Sequence, residues 1–132
     1  MNTPQPVIVD QAALDWEGWH DADLAAKSNV RWKLLIAGER TDSVGLVTGI
    51  AEIPPGEQLL LHHHEPEETY YILSGRGQIE IDGRTTTVGP GYALYIPPNA
   101  QHGFRCTSPK PLIFVFSFPQ DRFDQIIYHF DR

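Results

Sequence analysis

The chain has 132 residues, 41% of them apolar, and a formal charge of −7. That length fits one domain with a single core, and the acidic balance, with Lys and Arg scattered, excludes a basic nucleic-acid-binding surface. One cysteine, Cys106, excludes an internal disulfide framework, and no apolar run has the length of a membrane-spanning helix. The N-terminus MNTPQPVIVD lacks a basic stretch followed by an apolar one, so a cytoplasmic location is expected.

In chain order, residues 10–29 (DQAALDWEGWHDADLAAKSN) are the one stretch with helical character. Trp16, Trp19 and Leu24 are placed to cover one end of a core. From Val30 onward the pattern is strand, turn, strand. VRWKLLI, VGLVTGIAEI, QLLLHHH, ETYYILSG, GQIEI, TTTV, YALYI, HGFRC, LIFVFSF and QIIYHF are short and rich in β-branched or aromatic residues. PPG, SGRG, DGR, GPG, PPN and SPKP punctuate them. Many short strands with such punctuation indicate an all-β sandwich or barrel. Asp82-Gly83 suits a tight hairpin with positive φ. In LIFVFSF, Leu112, Phe114, Phe116 and Phe118 share one face, while Ile113 and Val115 make the other apolar too. In VRWKLLI, Val30, Trp32, Leu34 and Ile36 share a face, which leaves Arg31 and Lys33 to solvent or to a polar pocket. The domain expectation is an N-terminal segment, 1–29, followed by a single domain, 30–132.

The chemistry concentrates in Leu61-His62-His63-His64-Glu65-Pro66-Glu67-Glu68. Strand alternation puts His62 and His64 on one face and His63 on the other. A following strand that begins near Glu68 puts Glu68, Tyr70 and Ile72 on a shared face. Two imidazoles and a carboxylate converging from paired strands make most of a divalent-metal site, and His102 is the candidate for the third histidine. His63 is expected to point outward, and His20 and His129 to be surface residues.

These residues carry a resemblance. Gly56 to Gly75 matches the first motif of the cupin family, G-x5-H-x-H-x3-E-x6-G, at every fixed position. Gly91 to His102 resembles the second motif, with Asn99 where glycine is usual and Cys106 where asparagine is usual. Asn tolerates a left-handed backbone better than most residues. The resemblance implies a cupin jelly-roll barrel (a double-stranded β-helix) with a short N-terminal helical segment, built as a single-domain monocupin, and a homodimer. It implies a metal held by His62, His64, Glu68 and His102. Three neutral imidazoles and one carboxylate suit Fe, Mn, Ni, Co or Zn in the divalent state, with two positions left open if the ion is six-coordinate.

A narrower resemblance is to the small cupin lyases that cleave dimethylsulfoniopropionate to acrylate and dimethyl sulfide. It rests on VRWKLLI, GLVTGIAEIPPGEQLLLHHH, ETYYILSG and FPQDRFDQIIYHF. It implies a small carboxylate substrate and two catalytic tyrosines at the positions of Tyr70 and Tyr128. Alternation independently places Tyr70 on the ligand face and Tyr71 on the opposite one. Trp32, Tyr92, Tyr95 and Phe104 are available to meet a sulfonium cation. Two other functions fit the same motifs: an Fe(II)-dependent dioxygenase and a non-catalytic binder of small ligands.

Overall fold

Alternation of side chains along the strands decides which faces close on each other. The computed structural model describes residues 3–131. Its strands are β1 (Arg31–Ile36), β2 (Val47–Ile53), β3 (Gln58–His63), β4 (Glu68–Ser74), β5 (Gly77–Ile81), β6 (Arg84–Val88), β7 (Ala93–Ile96), β8 (His102–Cys106), β9 (Leu112–Phe118) and β10 (His129–Phe130). They form two antiparallel sheets, ordered β1-β2-β9-β4-β7 and β10-β3-β8-β5-β6. This is the jelly-roll expected from the sequence.

The core lies between the sheets. β9 buries Leu112, Phe114, Phe116 and Phe118, with Ile113, Val115 and Ser117 only half-buried. Gly49 on β2 makes room for this row, since a Cβ there would lie 2.2 Å from the Phe116 ring. The turns behave as their residues dictate. Asp82 and Gly83 both take positive φ between β5 and β6, and Asn99 sits at φ 61 before β8.

Two expectations shrink. Helix in the N-terminal segment is limited to a 3-10 turn, Gln11–Ala13, and α1, Ala22–Lys27. Asp21 caps α1 by accepting from the Asp23 and Leu24 amides. Between them the chain runs extended, because Glu17 exchanges both backbone hydrogen bonds with Trp32 and so lengthens the edge of a sheet. In QIIYHF, only His129–Phe130 is strand. Residues 119–128 instead form a strap across the end of the barrel. Asp121 fastens it by accepting from Gly38 and Gly45, and the Glu39 carboxylate by accepting from the Phe123 and Asp124 amides at 3.0 and 2.6 Å.

Arg31 and Lys33 turn outward. They lie over the Trp16 ring, 4.3 and 4.7 Å from its centroid, and Arg31 also pairs with Glu52. Trp16 therefore serves the outside of the barrel, whereas Trp19 packs against the core and Leu24 is buried. Among the described residues, no helix is long and apolar enough to cross a membrane.

Candidate metal centre

The sequence reading has the candidate ligands converging from paired strands; the structure corrects this. β3 pairs with β8 and β10, whereas β4 pairs with β7 and β9 in the other sheet. The loop 64–67 carries the chain from one sheet to the other. His62 and Glu68 therefore meet across the core rather than side by side.

His62 and His102 are register partners on β3 and β8, with ring centroids 4.1 Å apart. His64 follows the end of β3. Its carbonyl accepts from the amide of Asn99, which ties the two histidine-bearing loops together at 2.9 Å. The donor atoms of the three imidazoles lie within 4.8 Å of one another. Glu68, which opens β4, brings Oε1 to 3.1 Å from His64 Nε2 and 3.4 Å from His102 Nε2. All four side chains are buried.

Backbone carbonyls orient the three rings. His62 Nδ1 faces Leu60 O at 2.7 Å, His64 Nδ1 faces Pro66 O at 2.9 Å, and His102 Nδ1 faces Ala100 O at 2.9 Å. A carbonyl only accepts, so each Nδ1 carries a proton and each ring turns its Nε2 inward, that of His64 towards the Glu68 carboxylate. The Nε2 atoms of His62 and His102 are buried and have no hydrogen-bond partner among the described residues. Burial, then the neighbouring His102, holds the His62 imidazole well below its ordinary pKa, in the neutral form that ligates. Converging lone pairs beside a carboxylate repel unless a cation joins them, so this donor set fits a divalent transition metal.

His62 and Glu68 also line a cavity of about 30 Å³, together with Tyr70, Tyr128 and a mostly aromatic wall that contains no Lys or Arg among the described residues. Tyr70 is buried on β4. It packs on Phe114 at 4.5 Å and stacks on Phe104 at 5.8 Å. Tyr128, on the strap, stacks on His62 at 5.2 Å and meets His64 edge-on at 5.1 Å. Burial, then the charge of Glu68, pushes both phenols well above their ordinary pKa.

The other sequence-marked residues divide. Tyr71 is exposed on the opposite face, as alternation requires, and Tyr92 and Tyr95 are exposed as well. His63 stacks on His129 outside the barrel. Trp32 lines the cavity; Phe104 supports Tyr70 from behind. Sequence reasoning gave Trp19 only a covering role and passed over Phe123, yet both line the cavity. Neither sits on a strand, so no periodicity pointed to them.

The sequence model of the Cupin domain matches residues 49–118. The chain belongs to the cupin family. It is 43% identical over 101 residues to dimethylsulfoniopropionate lyase DddW of Ruegeria pomeroyi, a match that covers 76% of this chain and 66% of that one. It is 32% identical over 77 residues to quercetin 2,3-dioxygenase of Bacillus subtilis, covering 58% of this chain and 23% of the relative. The chain thus spans less than two thirds of the length of these curated relatives. Among solved structures, the cupin-2 domain protein Rru_A2000 of Rhodospirillum rubrum superposes with a TM-score of 0.76 at 20% identity, over 98% of this cupin and 83% of that chain.

Proposed function

We propose that this cupin is a metal-dependent lyase that cleaves dimethylsulfoniopropionate, or a similar β-substituted carboxylate, by abstraction of the α-proton. The observation that carries the reading is the presence of two phenols, the buried Tyr70 and the half-buried Tyr128, in the same small cavity as His62 and Glu68. The similarity to the Ruegeria pomeroyi lyase supports it. In this reading His62, His64, His102 and Glu68 hold the ion. Residues 30–132 form the catalytic domain, and the N-terminal segment, 1–29, lends Trp19 to the cavity.

A divalent ion bound there supplies Lewis acidity and positive charge, which polarise a substrate carboxylate and favour phenolate over phenol. Among the described residues the cavity offers no Lys or Arg to a carboxylate, so that end of the substrate belongs at the histidine cluster. Tyr70 would act as the phenolate that the ion's charge favours against burial and Glu68, and its Oη takes the proton from the α carbon. The electrons of that C–H bond form the Cα–Cβ double bond, and the Cβ–S bond breaks with its pair leaving on sulfur. The products are acrylate and dimethyl sulfide, and the tyrosine returns its proton to solvent. Tyr128, stacked on His62, borders the same space and supplies a second phenol to the substrate. Purified protein, with metal content confirmed, is expected to release dimethyl sulfide and acrylate from millimolar dimethylsulfoniopropionate. No release under those conditions sinks the reading.

The second reading is an Fe(II)-dependent dioxygenase, favoured by the match to quercetin 2,3-dioxygenase. Full turnover without oxygen excludes it. In either reading we infer a cytoplasmic homodimer that buries the exposed Tyr71, Leu73 and Tyr95 on the outer face of β4 and β7. A monomeric mass in light scattering contradicts the dimer.

A further inference from the structure

The aromatic wall of the cavity closes on itself. Trp19 lies 4.7 Å from Trp32, Trp32 lies 6.0 Å from Phe123, Phe123 lies 6.1 Å from Tyr128, and Tyr128 lies 5.5 Å from Trp19, centroid to centroid. Interplanar angles of 55 to 65° turn the four rings around a common space rather than into a stack. Each of them lines the cavity that His62, Glu68 and Tyr70 also reach. We propose that Trp19, Trp32, Phe123 and Tyr128 form a cage for a peralkylated onium cation, a sulfonium or quaternary ammonium, carried on the substrate.

The chemistry of the wall selects that class. Ring faces attract a cation through their quadrupoles. The indole N–H of Trp19 is already given to Ser28 O at 2.9 Å, and the Ser28 hydroxyl in turn accepts from the Leu60 amide on β3. This fixes the Trp19 ring and leaves its π surface for the cavity. Among the cage side chains the Tyr128 hydroxyl is the one acceptor, too few for the three N–H donors of a primary ammonium. An onium centre with only methyl groups has no donors to satisfy. Glu68, the one acid of the cavity, stands on the histidine side. A zwitterion therefore fits with its carboxylate at the histidines and its cation among the rings.

The cavity of about 30 Å³ has room for roughly one water, so the rings must part to admit an onium group. Trp32 is held in β1. Trp19 is fixed through Ser28, so Phe123 and Tyr128, on the strap outside the strands, provide the moving side.

The cage deepens the lyase reading, and its test separates the two. The probe is 4-(trimethylammonio)butanoate, whose leaving group is not β to the carboxylate and so cannot be eliminated. It is compared by titration calorimetry on the metal-reconstituted full chain with its neutral isostere, 5,5-dimethylhexanoate, and with 4-aminobutanoate. The onium acid is expected to bind at least about tenfold tighter than either. Trp19→Leu should bring the ratio to the isostere close to one, while Trp19→Phe keeps most of it. Equal affinity for the onium acid and the isostere in the unaltered protein overturns the cage, whether or not either variant folds. Release of dimethyl sulfide without onium preference leaves the lyase and removes the cage. Onium preference without elimination does the reverse.

Discussion

The two ends of the cavity are built on different terms. The histidine end rests on strands: His62 and His102 face each other in the ladder between β3 and β8, and Glu68 begins β4. The aromatic end rests mostly on chain outside the ladders, with Trp19 from the N-terminal segment and Phe123 and Tyr128 from the strap. The first is held by many parallel hydrogen bonds. The second hangs on a few contacts, notably the Glu39 carboxylate and the Trp19 indole. The difference teaches where this molecule places rigidity and where it places adaptability. In the proposed lyase, ligand geometry tolerates little error, and admission of an onium group requires movement.

Substitutions can break each end separately. His102→Ala should have the largest effect, with metal content falling from about one ion per chain to near zero and lyase turnover lost, as measured by elemental analysis and headspace detection. Tyr70→Phe should retain the metal and the fold yet lower kcat by about 10²–10⁴, the usual range for loss of a general base. Retained turnover in that variant would transfer the role to Tyr128. Glu39→Gln removes the charged acceptor for the strap amides, which is worth about 1–2 kcal/mol locally. The expected result is a KM raised several-fold with kcat nearly unchanged, because the lesion loosens the aromatic end alone. An equal fall in metal content would show that the two ends are not independent.

Acid should sharpen the contrast. The folded pKa of His62 is depressed by burial, against an unfolded value of about 6.5. Its contribution to stability is therefore complete above pH ~6.5 and declines as pH falls from there towards the folded value. Melting temperatures of metal-free protein should drop across that window. Replacing His62 with Gln should flatten the pH slope, the smallest of the four effects.

The legibility of the sequence follows the same division. Glu68 and the three histidines lie at spacings that alternation and two local motifs reveal, as does the inward turn of Tyr70. Strand periodicity and turn residues such as Asp82-Gly83 reached an all-β sandwich or barrel, and the resemblance to the cupins narrowed it to a jelly roll. Two things were hidden. Whether β3 and β4 pair or oppose each other depends on long-range register, which no local pattern records. The path of residues 119–128 depends on a carboxylate more than 80 positions away in sequence, Glu39, so Phe123 gave no sign of facing a cavity.

The carbonyls that orient the histidines carry a consequence for substitution. Each ring is steered at Nδ1 by the main chain two positions away, at Leu60, Pro66 or Ala100. A peptide carbonyl is present whatever residue bears it. Ring orientation is therefore insensitive to which side chains stand at positions 60, 66 and 100, so long as the backbone keeps its path.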